Sequence, residues 1–265
     1  MIESWQAILL ALIQGLTEFL PISSSAHLLL PTLLLGWPDQ GLAFDVAVHF
    51  GTLMAVLLYF RRDRIRLAWG CGQCLGQRRW NDEGREVLFL AVATLPAVVA
   101  GLLLNDRMDQ LRTVPVILTT TIVFALLLAV ADREGKGATS AVPSIAGALF
   151  IGVAQAIALI PGTSRSGITI TAGLFLGLSR EAAARFSFLL SIPVIAGAAL
   201  LKTLELLELG AAVPWGLLFL GASVAGISAY LCIAIFLALV ERIGMVPFVI
   251  YRLLLGLVLA ILWWS

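Results

Sequence analysis

"ALIQGLTEFLPISSSAHL", residues 11 to 28, decides how the rest of the chain is read. It lies in an apolar run, yet it gathers Gln14, Thr17, Glu18, Ser23, Ser24, Ser25 and His27 around Pro21. A proline lacks the amide that an interior helical position needs, and its ring blocks the carbonyl four residues back. The run from 5 to 35 therefore reads as two short helices, a hairpin that enters an apolar phase and turns back. Irregular backbone at membrane depth persists only where protein or a water-filled cavity satisfies it.

The composition supplies that apolar phase. Of 265 residues, 60% are hydrophobic and 12% charged, about half the charged share of a soluble domain. The mean hydropathy is +1.02. The expectation is an all-α, polytopic membrane protein forming a single integral membrane domain over 1–265. A net charge of +1 leaves no basic footprint for nucleic acid. The first Lys or Arg is Arg61, so no basic start of a secretory signal is expected and the hydrophobic segments themselves direct insertion. Cys71 and Cys74 form a C-x-x-C in a basic loop with no further Cys or His nearby. A zinc site needs four ligands, so these read as reduced loop thiols.

About 20 apolar residues cross a bilayer. That length gives six spans, at 44–60, 86–104, 113–131, 185–202, 214–240 and 247–264. A second broken run, 144–177, resists the same reading. Its core, "GVAQAIALIPGTSRSGIT" (152–169), parallels the opening stretch. Gln155 matches Gln14, and Pro161 matches Pro21 with a one-residue slip; each proline precedes a hydroxyl-rich turn and an aromatic-rich span. Each half, about 1–131 and 143–265, then holds one re-entrant hairpin and three spans. An odd number of crossings inverts the second half. Inverted repeats with broken helices place a site near the membrane midplane.

Orientation follows from the positive-inside rule. Twelve Lys and Arg fall in the loops 61–85, 132–143, 177–185 and 241–246, against three (Arg107, Arg112 and Lys202) on the other face. The richer face is expected to be cytoplasmic, with both termini opposite. The two remaining cations, Arg165 and Arg252, lie inside apolar segments.

The polar residues of the two breaks suggest chemistry. Gln14 and Glu18 share a helix face, and an ionisable Glu in an apolar hairpin is a functional candidate. The serines Ser23, Ser24 and Ser25 can cap the next helix, and His27 can act as acid, base or nucleophile. In "PGTSRSGIT" (161–169), Arg165 offers a fixed cation among the hydroxyls of Thr163, Ser164 and Ser166, where a helix restarts at about Ser166. A helix start with an Arg fork and hydroxyls suits a phosphate. Glu18 could hold a divalent cation or serve as a base. His49, four residues after Asp45, fits a supporting role at the site or a packing role equally. Arg252 is expected to pair with a carboxylate or to snorkel to an interface. Glu205 and Glu208 read as solvated loop charges.

On these residues the chain resembles the undecaprenyl pyrophosphate phosphatase family, also called bacitracin resistance proteins, nearly end to end. "QGLTEFLPISSSAH" is similar to that family's (E/Q)-x-x-x-E motif with its trailing serines and His. "PGTSRSGIT" is similar to its P-G-x-S-R-S-x-x-T motif. The resemblance implies an inner-membrane hydrolase converting undecaprenyl diphosphate to the monophosphate, which recycles the lipid carrier of peptidoglycan synthesis, with its site facing the periplasm. It implies catalytic roles for Glu18, Ser24, His27 and Arg165, and phosphate binding by Ser164, Arg165 and Thr169, with Ser166 and Ser23 adjoining. It further implies a divalent cation, Mg²⁺ or Ca²⁺, at Glu18 and Gln14. Gln14 takes a position that is Glu in some members, which leaves one carboxylate fewer for that cation. Expected partners are the polyprenyl diphosphate substrate and membrane lipids, and a homodimer is compatible with the sequence. The rival reading is a transporter or flippase for an anionic lipid, since paired broken helices also build transporters.

Overall fold

Pro21 and Pro161 each stand four residues beyond the end of a helix. In the computed structural model, α1 (Ser4–Thr17) stops at Thr17 and α7 (Ile145–Ile157) at Ile157. Those are the residues whose carbonyls a helical proline ring would strike. The chain turns through 18–23 and 158–164 and restarts as α2 (Ser24–Leu35) and α8 (Arg165–Phe175). The structure describes residues 2–77, 80–134, 140–142, 144–208 and 214–264. Among them it is all helical.

Six helices are long and apolar enough to cross a membrane. They are α3 (Leu42–Tyr59), α5 (Asp82–Met108), α6 (Val114–Glu134), α9 (Arg180–Glu208), α10 (Trp215–Ile243) and α11 (Val246–Trp264). All six coincide with the expected spans. Two run well past their apolar cores, because charged residues extend a helix once packing has nucleated it. α9 carries Lys202 and Glu205 in its last turns, paired at 2.7 Å, so Glu205 is a helical charge and not a loop charge. The side chain of Glu208 lies outside the described residues.

The expected basic loop 61–85 requires a larger correction. Residues Arg61–Gln77 form a further helix, α4, and Cys71 and Cys74 sit on it. Cys74 Sγ donates to Asn81 Oδ1 at 3.0 Å.

The two broken segments are structural counterparts. A shift of 141 positions carries Gln14 onto Gln155, Ser23 onto Ser164 and Ser25 onto Ser166. Ser23 (φ 73°, ψ 95°) and Ser164 (φ 70°, ψ 108°) are the N-cap residues of α2 and α8. They are also the only non-glycine residues with positive φ among those described. Left-handed backbone costs a residue with a Cβ about 1–2 kcal/mol, so one unusual torsion at two matched positions reflects one shared turn. α1 packs along α10, and α7 packs along α5. Each close approach depends on a glycine. A Cβ at Gly15 would meet Ser228 Oγ and stand 2.5 Å from Ala225 O, and one at Gly152 would stand 2.7 Å from Ala93 O.

One end of the bundle is laced by ions. Asp63 pairs with Arg185 and Asp132 with Arg180, each at 2.6 Å. The Glu181 amide donates to Glu241 Oε1 at 2.7 Å. These residues come from the segments assigned by charge to one face, and the structure brings those segments to one end.

Candidate active site

The breaks meet and complete each other's hydrogen bonds. Ser166 Oγ donates to the Leu20 carbonyl at 2.9 Å, and the Gly162 amide donates to Ser25 Oγ at 3.4 Å. Within each break the matched hydroxyls touch, Ser23 to Ser25 at 3.1 Å and Ser164 to Ser166 at 3.3 Å. Ser164 Oγ also accepts from the Gly167 amide, capping α8. Ser23 makes no such side-chain cap.

At this junction lies an ionic cluster centred on Glu18. Arg165 donates to its Oε1 at 3.0 Å. Its Oε2 accepts from Ser24 Oγ at 2.8 Å and from Gln14 Nε2 at 3.0 Å. The Glu18 and Arg165 side chains are only 9% and 13% exposed. A lone buried charge costs several kcal/mol, so pairing and extra donors are what make this burial tolerable. Arg165 also donates to the Ser187 carbonyl at 3.3 Å and lies over the Phe19 ring at 5.9 Å. Phe19 packs edge-on against Phe188, and this aromatic layer closes one side of the cluster.

The remaining candidates divide into two groups. Thr169 is buried, with its hydroxyl 2.7 Å from Ser187 Oγ, so together with Ser23, Ser164 and Ser166 it braces the turns. His27 stands apart from Glu18. Its Nδ1–H donates to the Ser23 carbonyl at 2.7 Å, and its Nε2 accepts from the Tyr251 hydroxyl at 2.7 Å. The carbonyl fixes the tautomer. The Tyr251 ring stacks on the imidazole at 5.4 Å. His49, from α3, does reach the cluster, with its Nε2 4.0 Å from Glu18 Oε2.

Arg252 behaves in neither of the expected ways. It is fully buried, and its guanidinium takes main-chain carbonyls. It donates to Gly162 O and Thr163 O at 3.0 Å, to Thr121 O at 3.2 Å and to Pro21 O at 3.3 Å. It thus binds both breaks at once. The threonine run of α6 assists from the other side, with Thr120 Oγ1 donating to the Pro161 carbonyl at 2.7 Å. Three adjacent threonines in an otherwise apolar span (119–121) were the signal for this contact in the sequence.

Among the described residues no three His, Cys, Asp or Glu side chains converge on a metal position. Gln14 Oε1 is buried with no hydrogen-bond partner, on the amide whose Nε2 donates to Glu18 Oε2. Mg²⁺ commonly takes one or two carboxylates and completes its shell with substrate phosphate oxygens and water. Turned end for end, the Gln14 amide would set that oxygen beside the Glu18 carboxylate, a pair that would fit that mode.

Two broken helices joined at a buried carboxylate–guanidinium pair, inside a set of six apolar helices, define a polytopic membrane protein with an ionic cluster between its helix breaks. The chain belongs to the bacitracin resistance protein BacA family, whose sequence model matches residues 7–258. It is 60% identical to a protein of Alcanivorax borkumensis named undecaprenyl-diphosphatase, over 98% of both chains. Proteins of the same name from Teredinibacter turnerae and Chromohalobacter salexigens are 57% and 58% identical. Each alignment covers at least 95% of both chains.

Proposed function

We propose that this protein is a membrane phosphatase that hydrolyses undecaprenyl diphosphate to undecaprenyl phosphate and inorganic phosphate, with Ser24 as nucleophile and Glu18 as its base. The observation that carries the roles is the Ser24–Glu18–Arg165 array. A hydroxyl lies 2.8 Å from one carboxylate oxygen, and a guanidinium lies 3.0 Å from the other. A nucleophile within hydrogen-bond reach of its base is the arrangement covalent catalysis needs. The full-length likeness to proteins named undecaprenyl-diphosphatase supports the substrate and disfavours the flippase reading.

The terminal phosphate takes Arg165 from Glu18, and the start of α8 with its hydroxyls surrounds it. Ser24 Oγ attacks the terminal phosphorus and its proton passes to Glu18. The bridging P–O bond breaks, and undecaprenyl phosphate leaves with the electron pair and takes the proton from Glu18. Glu18, again a carboxylate, then deprotonates a water that attacks the phosphoserine; inorganic phosphate leaves, and the serine oxygen takes that proton back from Glu18. Arg165 stabilises the charge that gathers on the phosphoryl oxygens. His27 acts through position. By holding the Ser23 carbonyl it fixes the strained residue that aims Ser24. Glu18 and Gln14 Oε1 would hold a divalent cation, Mg²⁺ or Ca²⁺, which supplies Lewis-acid neutralisation of the phosphates.

In this reading the halves 1–131 and 143–265 form an inverted repeat whose hairpins are re-entrant. The Arg-rich end of the bundle is cytoplasmic, the termini lie opposite, and the site opens to the periplasm of the inner membrane. The matched turns at Ser23 and Ser164 and the counterpart packing of α1 and α7 support the repeat.

The test uses purified protein and undecaprenyl diphosphate labelled on its terminal phosphate. Wild type should release phosphate, and an acid quench should trap label on Ser24. If wild type releases no more than Arg165→Ala, with or without Mg²⁺, the phosphatase reading fails. If Ser24→Ala turns over normally, Ser24 is not the nucleophile.

A further inference from the structure

Among the described residues, α4 is the one α-helix that neither counts as a span nor borders a break. Its buried side is fixed by partners at the ends of three spans. Leu67 and Gly70 are buried. Arg66 pairs with Glu83 and Glu86 of α5 at 3.5 and 3.0 Å, Asp63 pairs with Arg185 of α9, and Cys74 bonds Asn81. Arg61 and Arg64 donate to the Leu58 and Leu57 carbonyls of α3 at 3.1 and 2.8 Å. Residues 66–74 of α4 thus face residues 81–86, just before the apolar run of α5 begins at Val87. At 1.5 Å of rise per residue, about 12 Å of α4 covers about 8 Å at the foot of α5. α4 therefore slants across the membrane entrance of α5 instead of rising away from it.

The opposite side of α4 is exposed. Arg62, Ile65, Trp69 and Gln73 follow one another at three- and four-residue spacing along it, with Arg61 and Ala68 beside them. Ile65 is 59% and Trp69 72% exposed. Asp63 and Arg66 are neutralised by the pairs above, whereas Arg61 and Arg62 form no ion pair among the described residues. The face therefore sets two uncompensated cations next to an indole and an aliphatic side chain, at the depth where a span enters the bilayer. That combination complements a layer of anionic head groups: cations meet phosphates, and Trp sits between head groups and acyl chains. A docking protein would have to displace head groups from the same depth.

We propose that this face of α4 is a binding surface for anionic phospholipid of the leaflet it lies against. Arg61 and Arg62 hold the lipid phosphates, and Ile65 and Trp69 enter the boundary of the acyl chains. The contact is independent of the phosphatase reading and of which leaflet carries α4. Charge, and not guanidinium geometry, does the selecting, so Lys is the conservative replacement at both positions and Gln the disabling one.

The experiment uses full-length protein in phosphatidylcholine nanodiscs, with Cys71 and Cys74 replaced by Ser and a nitrobenzoxadiazole fluorophore on a cysteine at Gln73. Cys232 is buried and stays unlabelled. A small fraction of nitroxide-labelled lipid, either phosphatidylglycerol or phosphatidylcholine, reports by quenching which lipid borders the face. Each Lys or Arg near an anionic surface is worth about fivefold in affinity, so the two arginines set an upper range of about 25-fold. With Arg61 and Arg62 in place, phosphatidylglycerol should be selected by at least about fivefold, and added salt should reduce the selection. Arg61→Gln with Arg62→Gln should bring it below about twofold, whereas Arg61→Lys with Arg62→Lys should keep it. Equal quenching by the two lipids with both arginines present would overturn the proposal. So would quenching by neither, which sets the face in water or under a protein. Equal losses in the Gln and Lys variants would assign the arginines to the fold of α4 and overturn it as well.

Discussion

Replacing Arg252 with Met tests whether one buried guanidinium holds the two helix breaks together. Met approximates the length and apolar stem of Arg, so the change removes donors and charge with little lost volume. Four carbonyls within 3.3 Å lose a donor: Pro21, Thr121, Gly162 and Thr163. Each unsatisfied buried carbonyl costs about 1–3 kcal/mol. Gly162 keeps the Thr121 hydroxyl at 3.4 Å, and the Thr121 carbonyl lies inside α6, so Pro21 and Thr163 set an upper range of roughly 2–6 kcal/mol. Two effects reduce it. The variant no longer buries a cation, a burden of several kcal/mol in the wild type. The Pro161 carbonyl next to these keeps its Thr120 donor, which limits how far the break can open. A net loss of about 2 kcal/mol remains. For a chain of this size each kcal/mol shifts Tm by about 2–4 °C, so thermal unfolding in detergent should move down by roughly 4–8 °C. The damage sits in the turns that carry Ser24 and Arg165, so turnover measured well below the new Tm should also fall by tenfold or more. Arg252→Lys should lie between, because an ammonium can reach one or two of the carbonyls but not the spread of four that the planar fork covers. A Met variant that melts within 3 °C of wild type and turns over normally refutes the reasoning.

Other perturbations probe separate links. Arg165→Ala should lose at least about 10²-fold in kcat while still inserting and folding; phosphate release by the folded variant is the readout. Gly15→Leu should disrupt the α1–α10 contact, since even a Cβ stands 2.5 Å from Ala225 O, at a cost of about 1–3 kcal/mol or more. Thermal unfolding measures it, and Gly101→Leu, where added atoms meet open space, is the control. With Cys71 and Cys74 replaced by Ser, a cysteine at Arg64 should label only from the cytoplasm and one at Gln110 only from outside. Reversed labelling inverts the topology.

The spans were legible because apolar length alone selects them, and the breaks because Pro21 and Pro161 forbid helix at fixed positions. Glu18 and Arg165 were legible as charged groups that an apolar hairpin does not need for its own backbone, whereas Ser24 read from spacing alone as one of three serines able to cap the next helix. The helix α4 was not. Its sequence, "RRDRIRLAWGCGQCLGQ", has no apolar stripe to announce it. Part of its support is tertiary. Arg64 donates twice to the Leu57 carbonyl, at 3.1 and 2.8 Å, at the end of α3, and Asp63 pairs with Arg185, 122 residues away. The two histidines show the same limit. His27 lies within the motif and His49 outside it, yet His49 reaches Glu18 while His27 is held by Ser23 and Tyr251. Helical spacing gives the face a residue occupies; the partner of that face is set by how distant helices pack.

The same packing bears on why two matched helix breaks carry a single ionic cluster. The shift of 141 that matches the two turns carries Glu18 onto Leu159, His27 onto Ile168 and Thr169 onto Leu28, and it matches Arg165 with Ser24. What recurs is what closes broken backbone: the prolines, the left-handed serines, and the hydroxyl pairs Ser23–Ser25 and Ser164–Ser166. What does not recur, Thr169 apart, includes every ionisable group: Glu18, His27 and Arg165. A second copy of the ion pair would need an acid at 159 and a base at 24, and each further charge at membrane depth costs about 2.5 kcal/mol or more before it does any chemistry. Position 24 instead holds a small hydroxyl, which leaves Glu18 Oε2 with a neutral partner at 2.8 Å. A second arginine there would compete for the carboxylate and remove the hydroxyl proposed as nucleophile. Departure from symmetry at one matched pair, Ser24 and Arg165, turns two matched helix breaks into one asymmetric site, with a hydroxyl on one carboxylate oxygen of Glu18 and a guanidinium on the other, which is the asymmetry the proposed phosphoryl transfer needs.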